Sequence, residues 1–235
     1  NNMYWPEVYT NQPITDASLS NPYTDTPAPK TFGNVTPLDP QLFLSINDFT
    51  KEYLNGQRSG KYTPLEVAQW LEDYANEGAK QLDIAKGKTS AKKKAEWLRM
   101  VTDVEIQVGI GRFFGAKLRA AVLYAVYDQT RDRSALEEAL KLYRQARAHW
   151  ANLAETAKNV YVHDITVGEH PWLRGHWLDR IPAIDEDVNN MAKKLAEYIE
   201  SSSSNNRAKQ AVQEALGKPK RTLAAIKHQG PSGFA

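Results

Sequence analysis

The sequence predicts an all-α fold, an up-and-down antiparallel helical bundle, from three observations. Apolar residues recur at helical spacing through five successive stretches of the chain. Residues that begin and end helices bracket those stretches. The connections between them are short, which favours antiparallel packing of consecutive helices. An extended, proline-rich N-terminal coil and a long loop rich in aromatic residues and histidine complete the predicted architecture.

The first two predicted helices carry clear boundary residues. The first begins near Asp39-Pro40, because Asp accepts hydrogen bonds from free amides and Pro suits the first helical position. Asn55-Gly56 ends it. The second has the strongest start signal in the sequence, with Thr63 as the cap, Pro64 next and Glu66 able to bond back to the cap amide.

The third helix is predicted to be the longest, from Ala91 to Gln129. Its stretch Ala120–Tyr127 is apolar nearly all round, so we expect it to be the most enclosed part of the bundle. Ser134, with Glu137 in the reciprocal position, is predicted to cap the fourth helix. Pro182 opens the fifth.

Three glycines lie close together within the third helix, at Gly109, Gly111 and Gly115. A phosphate-binding loop would need a preceding strand, and the pattern here is helical. Small residues in a helix instead let another segment come close. We therefore predict that a helix or the N-terminal coil packs tightly against this region.

The chain divides into three predicted parts. Residues 1–38 hold six of the twelve prolines together with several aromatic residues, and we expect an extended segment packed on the bundle. Residues 39–200 form the bundle. Residues 201–235 are predicted to be a mobile linker and tail, with one short helix up to Leu216, leading toward a further domain. The residues at both ends suggest a segment cut from a larger protein.

Composition excludes several classes of function. The net charge of +2 is too balanced for a phosphate-coating surface, so we predict no nucleic-acid partner. The absence of a long apolar run predicts a soluble chain with no membrane partner. With no cysteine, disulfides, thiolate catalysis and zinc–thiolate sites are excluded. No cofactor is predicted.

The segment from Tyr161 to Arg180 is the strongest candidate for a binding site. It gathers three of the five histidines into a non-helical connection, and such long connections commonly bind a ligand. Aromatic faces stack on sugars, while Asp, Arg and His bond directionally to hydroxyls. The candidate ligand-binding residues are His163, Asp164, His170, Trp172, Arg174, His176, Trp177, Asp179 and Arg180, joined by Tyr4, Trp5 and Glu7 of the N-terminal segment.

Other interpretations of this segment remain open. Trp172 and Trp177 could instead seal the end of the bundle, with an arginine paired to Asp164 or Asp179. The histidines do not have the spacing of a metal site, and no metal is predicted. No pair of carboxylates is singled out as a general acid and base, so the catalytic residues are unassigned.

Two runs of sequence point to a family. Thr31–Pro40 and Trp172–Arg180 resemble pieces of a helical domain in large bacterial multidomain glycoside hydrolases of the hexosaminidase and α-glucuronidase type. In those enzymes a separate barrel carries the catalytic carboxylates, and this sequence lacks the alternating strands and helices of a barrel. The resemblance implies an accessory domain, a periplasmic or secreted location, and no transferable catalytic residue.

Two functional hypotheses follow. The first is an accessory helical domain of a carbohydrate-active enzyme, not catalytic alone, whose partners are carbohydrate and the other domains of the parent chain. It would contribute to a glycan cleft or to interdomain packing. The alternative is a protein-interaction scaffold, because the two helices from Trp97 to Lys158 are similar to a tetratricopeptide hairpin.

Overall fold

The predicted all-α fold is confirmed by a computed structural model, which describes residues 12–19, 31–37, 39–90, 94–164, 174–198 and 206–219. No strand occurs in these ranges, and their regular structure consists of helices. None of those helices combines the length and apolar character needed to cross a membrane. The α-helices are α1 (Ile46–Asn55), α2 (Pro64–Lys88), α3 (Ala95–Thr130), α4 (Arg133–Ala157), α5 (Ile181–Ala196) and α6 (Asn206–Leu216).

Helices α2 to α5 run up and down, each antiparallel to the next. Contacts between neighbouring helices join residues whose numbers rise on one helix as they fall on the other. The pairs are Lys86 with Glu105 and Glu72 with Arg119 between α2 and α3, Gly109 with Leu153 and Phe113 with Trp150 between α3 and α4, and Arg147 with Asp185 and Tyr143 with Asp187 between α4 and α5. The predicted antiparallel bundle follows from these contacts.

Helix α3 forms the centre of the bundle, with α2 and α4 packed along it and α1 and α6 against its C-terminal half. The stretch Ala120–Tyr127 is buried throughout, as its apolar sequence predicts. Phe113 of α3 meets Trp150 of α4 edge to face, with 4.9 Å between the ring centroids. Both side chains are fully buried, so this contact lies in the centre of the hydrophobic core.

The three glycines of α3 allow the close approach that was predicted. A Cβ at Gly109 would lie 2.6 Å from Cβ of Leu153 on α4. A Cβ at Gly115 would lie 2.9 Å from Cγ of Glu72 on α2, and one at Gly111 only 3.1 Å from the Leu71 carbonyl. Glycine is therefore required where α2 and α4 pack closely against α3, because a methyl group would push the helices apart.

Two of the predicted helix starts are wrong, and both errors have a local cause. Helix α1 begins at Ile46 rather than near Asp39-Pro40. The Asp39 carboxylate accepts from the amides of a turn, and the following residues pair in extended form with Tyr62, whose amide donates to the Leu42 carbonyl at 2.8 Å. Helix α4 is capped by Asp132, not Ser134.

Other boundary predictions are confirmed. Thr63 and Glu66 form the reciprocal capping box of α2, with Pro64 in its first turn. The short helix up to Leu216 is α6, and its alanine face is buried against α3 and α4. Arg119 of α3 donates to the carbonyls of Ala215 and Gly217 at 2.8 and 2.9 Å, which satisfies the free carbonyls where α6 ends.

The N-terminal residues 12–19 are held on the bundle by a buried carboxylate. Asp187 of α5 accepts from the backbone amides of Ile14 and Thr15 at 2.6 and 3.1 Å. It also accepts from the Thr15 hydroxyl at 2.6 Å. Charge-assisted bonds of this kind are stronger than neutral ones, so Asp187 fixes the path of this segment over the helices.

A buried lysine completes the attachment. Lys117 of α3 is fully buried, and its ammonium group donates to the Gln12 carbonyl at 2.8 Å. The same group lies 4.7 Å from the centroid of the Phe32 ring, within the range of a cation–π contact. Burial lowers the pKa of Lys117 to about 7, while the nearby Asp187 carboxylate opposes that shift.

This buried lysine predicts a rise of stability with pH. The unfolded chain keeps the Lys117 proton up to the ordinary lysine pKa of 10.5, whereas burial lowers the pKa in the folded protein to about 7. Because the unfolded state binds more protons between these values, the free energy of unfolding should increase by up to about 1.4 kcal/mol per pH unit. Chemical denaturation at several pH values from about 7.5 to 9.5 measures this slope.

The substitution Lys117→Met should abolish the slope, because no group with a lowered pKa then remains at this position. Lys141→Met is the matched control, since Lys141 lies on the exposed side of α4 and carries the same charge. It should leave the slope unchanged. Unfolding free energies that do not vary with pH in the unsubstituted protein would contradict the buried position of Lys117.

Candidate functional site

The candidate binding segment is anchored where it leaves α4. The hydroxyl of Tyr161 donates to the carboxylate of Asp103 on α3. The Tyr161 ring also packs edge to face on Trp177, with 5.3 Å between centroids. Trp177 in turn accepts at its carbonyl from the indole N–H of the core residue Trp150, at 2.8 Å. The two ends of the segment are thus tied to each other and to the core.

His176 organises the second end of the segment. Its Nδ1 accepts from the Leu178 amide at 3.1 Å, and its own amide donates to the Asp179 carboxylate at 2.7 Å. This reciprocal cap begins the 3-10 helix Trp177–Arg180, which leads directly into α5. His176 and Asp179 therefore serve as a capping pair.

The other ring nitrogen of His176 is in an unusual position. Nε2 is buried and makes no hydrogen bond of normal geometry to the described residues. Burial lowers the pKa of His176 below its ordinary value; the backbone of Ala157 and the Asp179 carboxylate oppose the shift, and neighbouring His163 adds to it. The imidazole is accordingly neutral at pH 7, with Nδ1 as an acceptor.

The solvent-facing part of the site is a bidentate ion pair. The Arg174 guanidinium donates to both oxygens of Asp164, at 2.5 and 3.4 Å. The Gly175 amide adds a third bond to Asp164 at 3.3 Å, from a backbone with φ of 102° that favours glycine. Arg174 lowers the pKa of Asp164, so the carboxylate is charged at neutral pH.

The structure brings together part of the predicted set. His163 lies at the exposed edge with Asp164 and Arg174, and its ring centroid is 5.9 Å from that of the buried His176. Trp177 packs against the core and Arg174 pairs with Asp164, as the bundle-sealing interpretation predicts, and this ion pair faces solvent. Arg180 is buried and Asp179 acts as a cap. Tyr4, Trp5, Glu7, His170 and Trp172 lie outside the described residues.

No metal centre is found in the part of the chain that the structure describes. There, no three His, Asp or Glu side chains come together in an arrangement that could hold an ion. The ring of His163 lies 5.9 Å from that of His176, but Nε2 of His176 is buried in the protein.

Two clefts were missed by sequence reasoning. One, of about 250 Å³, lies between α1, the turn after it and the end of α6. There burial, reinforced by a hydrogen bond to Glu214, raises the pKa of Tyr53 to about 12. The other, of about 510 Å³, lies beside Arg131 at the far end of α3. Their residues come from separate helices and loops, so no local sequence pattern marks either cleft.

Comparisons with known proteins bear on the fold. No protein-family model matches the sequence, and no curated protein matches it. Among solved structures, the chain is similar to a GH138 enzyme targeting pectin rhamnogalacturonan II, with a TM-score of 0.56 and 15% sequence identity. The similarity covers 65% of this chain and 23% of that enzyme.

The similarity shows the fold alone at this level of identity. This chain is an all-helical domain whose fold is similar to part of a glycoside hydrolase. The resemblance found in the sequence is supported to that extent. The narrower assignment to the hexosaminidase or α-glucuronidase type stays a prediction.

The buried environment of His176 makes a testable prediction. Its imidazole should titrate below pH 6.5 in the folded protein, as measured by NMR of the ring resonances. As the pH is lowered, the unfolded chain binds this proton before the folded protein does. The free energy of unfolding should therefore fall as the pH drops below 6.5. Asp179→Asn keeps an oxygen for the cap but removes the charge that favours protonation, so the pKa should fall further. Titration at or above 6.5 would show that the ring is not desolvated.

Proposed function

We propose that this chain is a helical accessory domain of a carbohydrate-active enzyme, with the end formed by residues 161–164 and 174–180 at the edge of a glycan cleft. The observation that carries the proposal is the similarity of the bundle to part of a GH138 enzyme targeting pectin rhamnogalacturonan II. The shared region is 23% of that enzyme. An accessory role, with the chemistry carried by other domains, fits this proportion.

The chemistry of the exposed edge supports contact with a glycan. Arg174 offers a planar set of N–H donors, and Asp164 accepts in a fixed orientation set by Gly175. His163 adds a ring beside them. Trp177 and Tyr161 hold this edge rigidly against the core, which reduces the entropy cost of binding a flexible saccharide.

The same end also carries apolar side chains suited to packing against another domain. Val160 and Val162 flank Tyr161 and are half exposed or more, with Val162 at 71%. Met100, one turn before Asp103 on α3, is exposed as well. Since the Tyr161 hydroxyl contacts Asp103, these side chains lie near one another. An interdomain contact at this end would cover them.

The glycan proposal is tested with a matched pair of variants. Arg174→Ala removes the donor face of the Arg174–Asp164 pair and should weaken binding of oligosaccharides released from rhamnogalacturonan II about tenfold, since it removes a charged hydrogen-bond donor. Arg147→Ala breaks the equivalent bidentate pair with Asp185, which joins α4 to α5. It should leave binding unchanged. Calorimetric titration measures both affinities.

Both pairs are similarly accessible, with arginine side chains 47% and 39% exposed, so both variants are expected to fold. Equal weakening by the two substitutions would indicate a nonspecific charge effect. An unsubstituted protein that binds none of the oligosaccharides at millimolar concentration would rule out the glycan-edge role.

The scaffold hypothesis is favoured by one observation, the exposed apolar side chains at this end of the bundle. Val162→Asp should leave the unfolding free energy within about 0.5 kcal/mol, because the side chain is largely in solvent. A loss of partner-protein affinity in this variant, with saccharide binding absent in the unsubstituted chain, would favour the scaffold over the accessory domain.

A further inference from the structure

A cleft at the opposite end of α3 has the composition of a second binding site. It lies between the last turns of α3, the connection to α4 at Arg131 and the residues that end α5, with a volume of about 510 Å³. Small-molecule sites have volumes of roughly 300–1,000 Å³. Asp103, which contacts the 161–180 segment, precedes Arg131 by about 40 Å along the helix at about 1.5 Å per residue. The cleft is therefore separate from the site of the proposed function.

Three tyrosines line the cleft. The ring of Tyr127 lies 5.8 Å from that of Tyr124 and 6.3 Å from that of Tyr198, measured between centroids. Tyr124 donates its hydroxyl hydrogen to the Thr15 carbonyl at 3.1 Å, and Tyr198 donates to the Arg131 carbonyl at 2.8 Å. Two rings are thus held in place by their own bonds. The Tyr127 hydroxyl makes no hydrogen bond to the described residues, and the residue lines the cleft although it is only 8% exposed.

Charged groups of both signs stand beside the tyrosines. Arg131 and Lys194 can donate hydrogen bonds into the cleft, and Asp128 and Glu197 can accept them. The Arg131 and Asp128 side chains are 3.7 Å apart and both largely exposed, so their pairing is loose and either can turn to a ligand. Fixed aromatic rings combined with donors and acceptors in close reach are the groups that recognise a polyhydroxylated ligand.

The backbone at Arg131 gives independent support. Arg131 has a left-handed conformation, with φ of 56°, and is the non-glycine residue with positive φ in the described ranges. This is the position after a helix where glycine is favoured, because a Cβ crowds the following carbonyl. Its guanidinium lies 5.4 Å from the centroid of the Tyr127 ring, at the cleft. An unfavourable backbone retained beside a cleft indicates that the side chain is needed there.

We infer that this cleft binds a saccharide, with Tyr127 and Tyr198 against the sugar and the Arg131 guanidinium as a hydrogen-bond donor to it. The inference goes beyond the proposed function, which concerns the other end of the bundle. The lining carries both cations and anions, so its charges do not select between a carboxylated and a neutral sugar. Both kinds of sugar present hydroxyl groups, which the cleft recognises by hydrogen bonds.

The test is the substitution Arg131→Gly in the full chain. Glycine suits the left-handed backbone and keeps the carbonyl that accepts from Tyr198, so the unfolding midpoint should stay within about 4 °C of the unsubstituted protein. Affinity for trisaccharides should fall tenfold or more, in one arm with galacturonic acid oligomers and in the other with glucose oligomers. Tyr127→Phe, which removes only the hydroxyl, should weaken binding severalfold. Calorimetric titration measures the affinity for each of the two sets of oligomers.

The controls separate this site from the other end of the bundle. Arg147→Ala, which removes an equal charge elsewhere, should leave the affinity for both sets of trisaccharides unchanged, and Arg174→Ala should leave the Arg131-dependent part of the binding in place. Binding in either arm that depends on Arg131 and not on Arg174 supports the cleft, whatever becomes of the proposed function. Binding lost only in Arg174→Ala, binding unaffected by Arg131→Gly, or no binding in either arm at millimolar concentration would overturn it.

Discussion

The attachment of the N-terminal segment depends on two buried polar side chains, Lys117 on α3 and Asp187 on α5. Backbone groups of residues 12–15 supply hydrogen bonds to both, through the Gln12 carbonyl and the amides of Ile14 and Thr15. Without that segment, the two side chains would lose these partners, and an unpaired polar group in a low-dielectric core is strongly unfavourable. The irregular segment is therefore as much a part of the fold as the helices.

The rest of the bundle is arranged around α3. Gly109 lets α4 approach from one side, and Gly111 and Gly115 let α2 approach from the other. With both neighbours in close contact, the long helix is held along most of its length, and its two ends are set far apart. Each end then carries a different surface: the Asp164–Arg174 edge at one and the Arg131 cleft at the other.

At each end of α3, some polar or aromatic side chains are buried or bonded within the fold and others are left exposed to solvent. At the first, His176, Trp177 and Arg180 are withdrawn into the structure, and this leaves the ion pair and His163 facing solvent. At the C-terminal end of α3, the hydroxyls of Tyr124 and Tyr198 donate hydrogen bonds to backbone carbonyls, and the Arg131 side chain remains exposed.

Local sequence features were enough to predict the helices, the capping box at Thr63, the enclosed stretch Ala120–Tyr127 and the close packing at Gly109, because spacing, caps and residue size act over a few neighbouring positions. The sequence also singled out the residues of the 161–180 segment, from their types alone. Only the tertiary structure decided which of them are buried and that Lys117 meets the N-terminal segment 105 residues away. Such contacts are chosen by the packing of distant segments, which leaves no periodic signal along the chain.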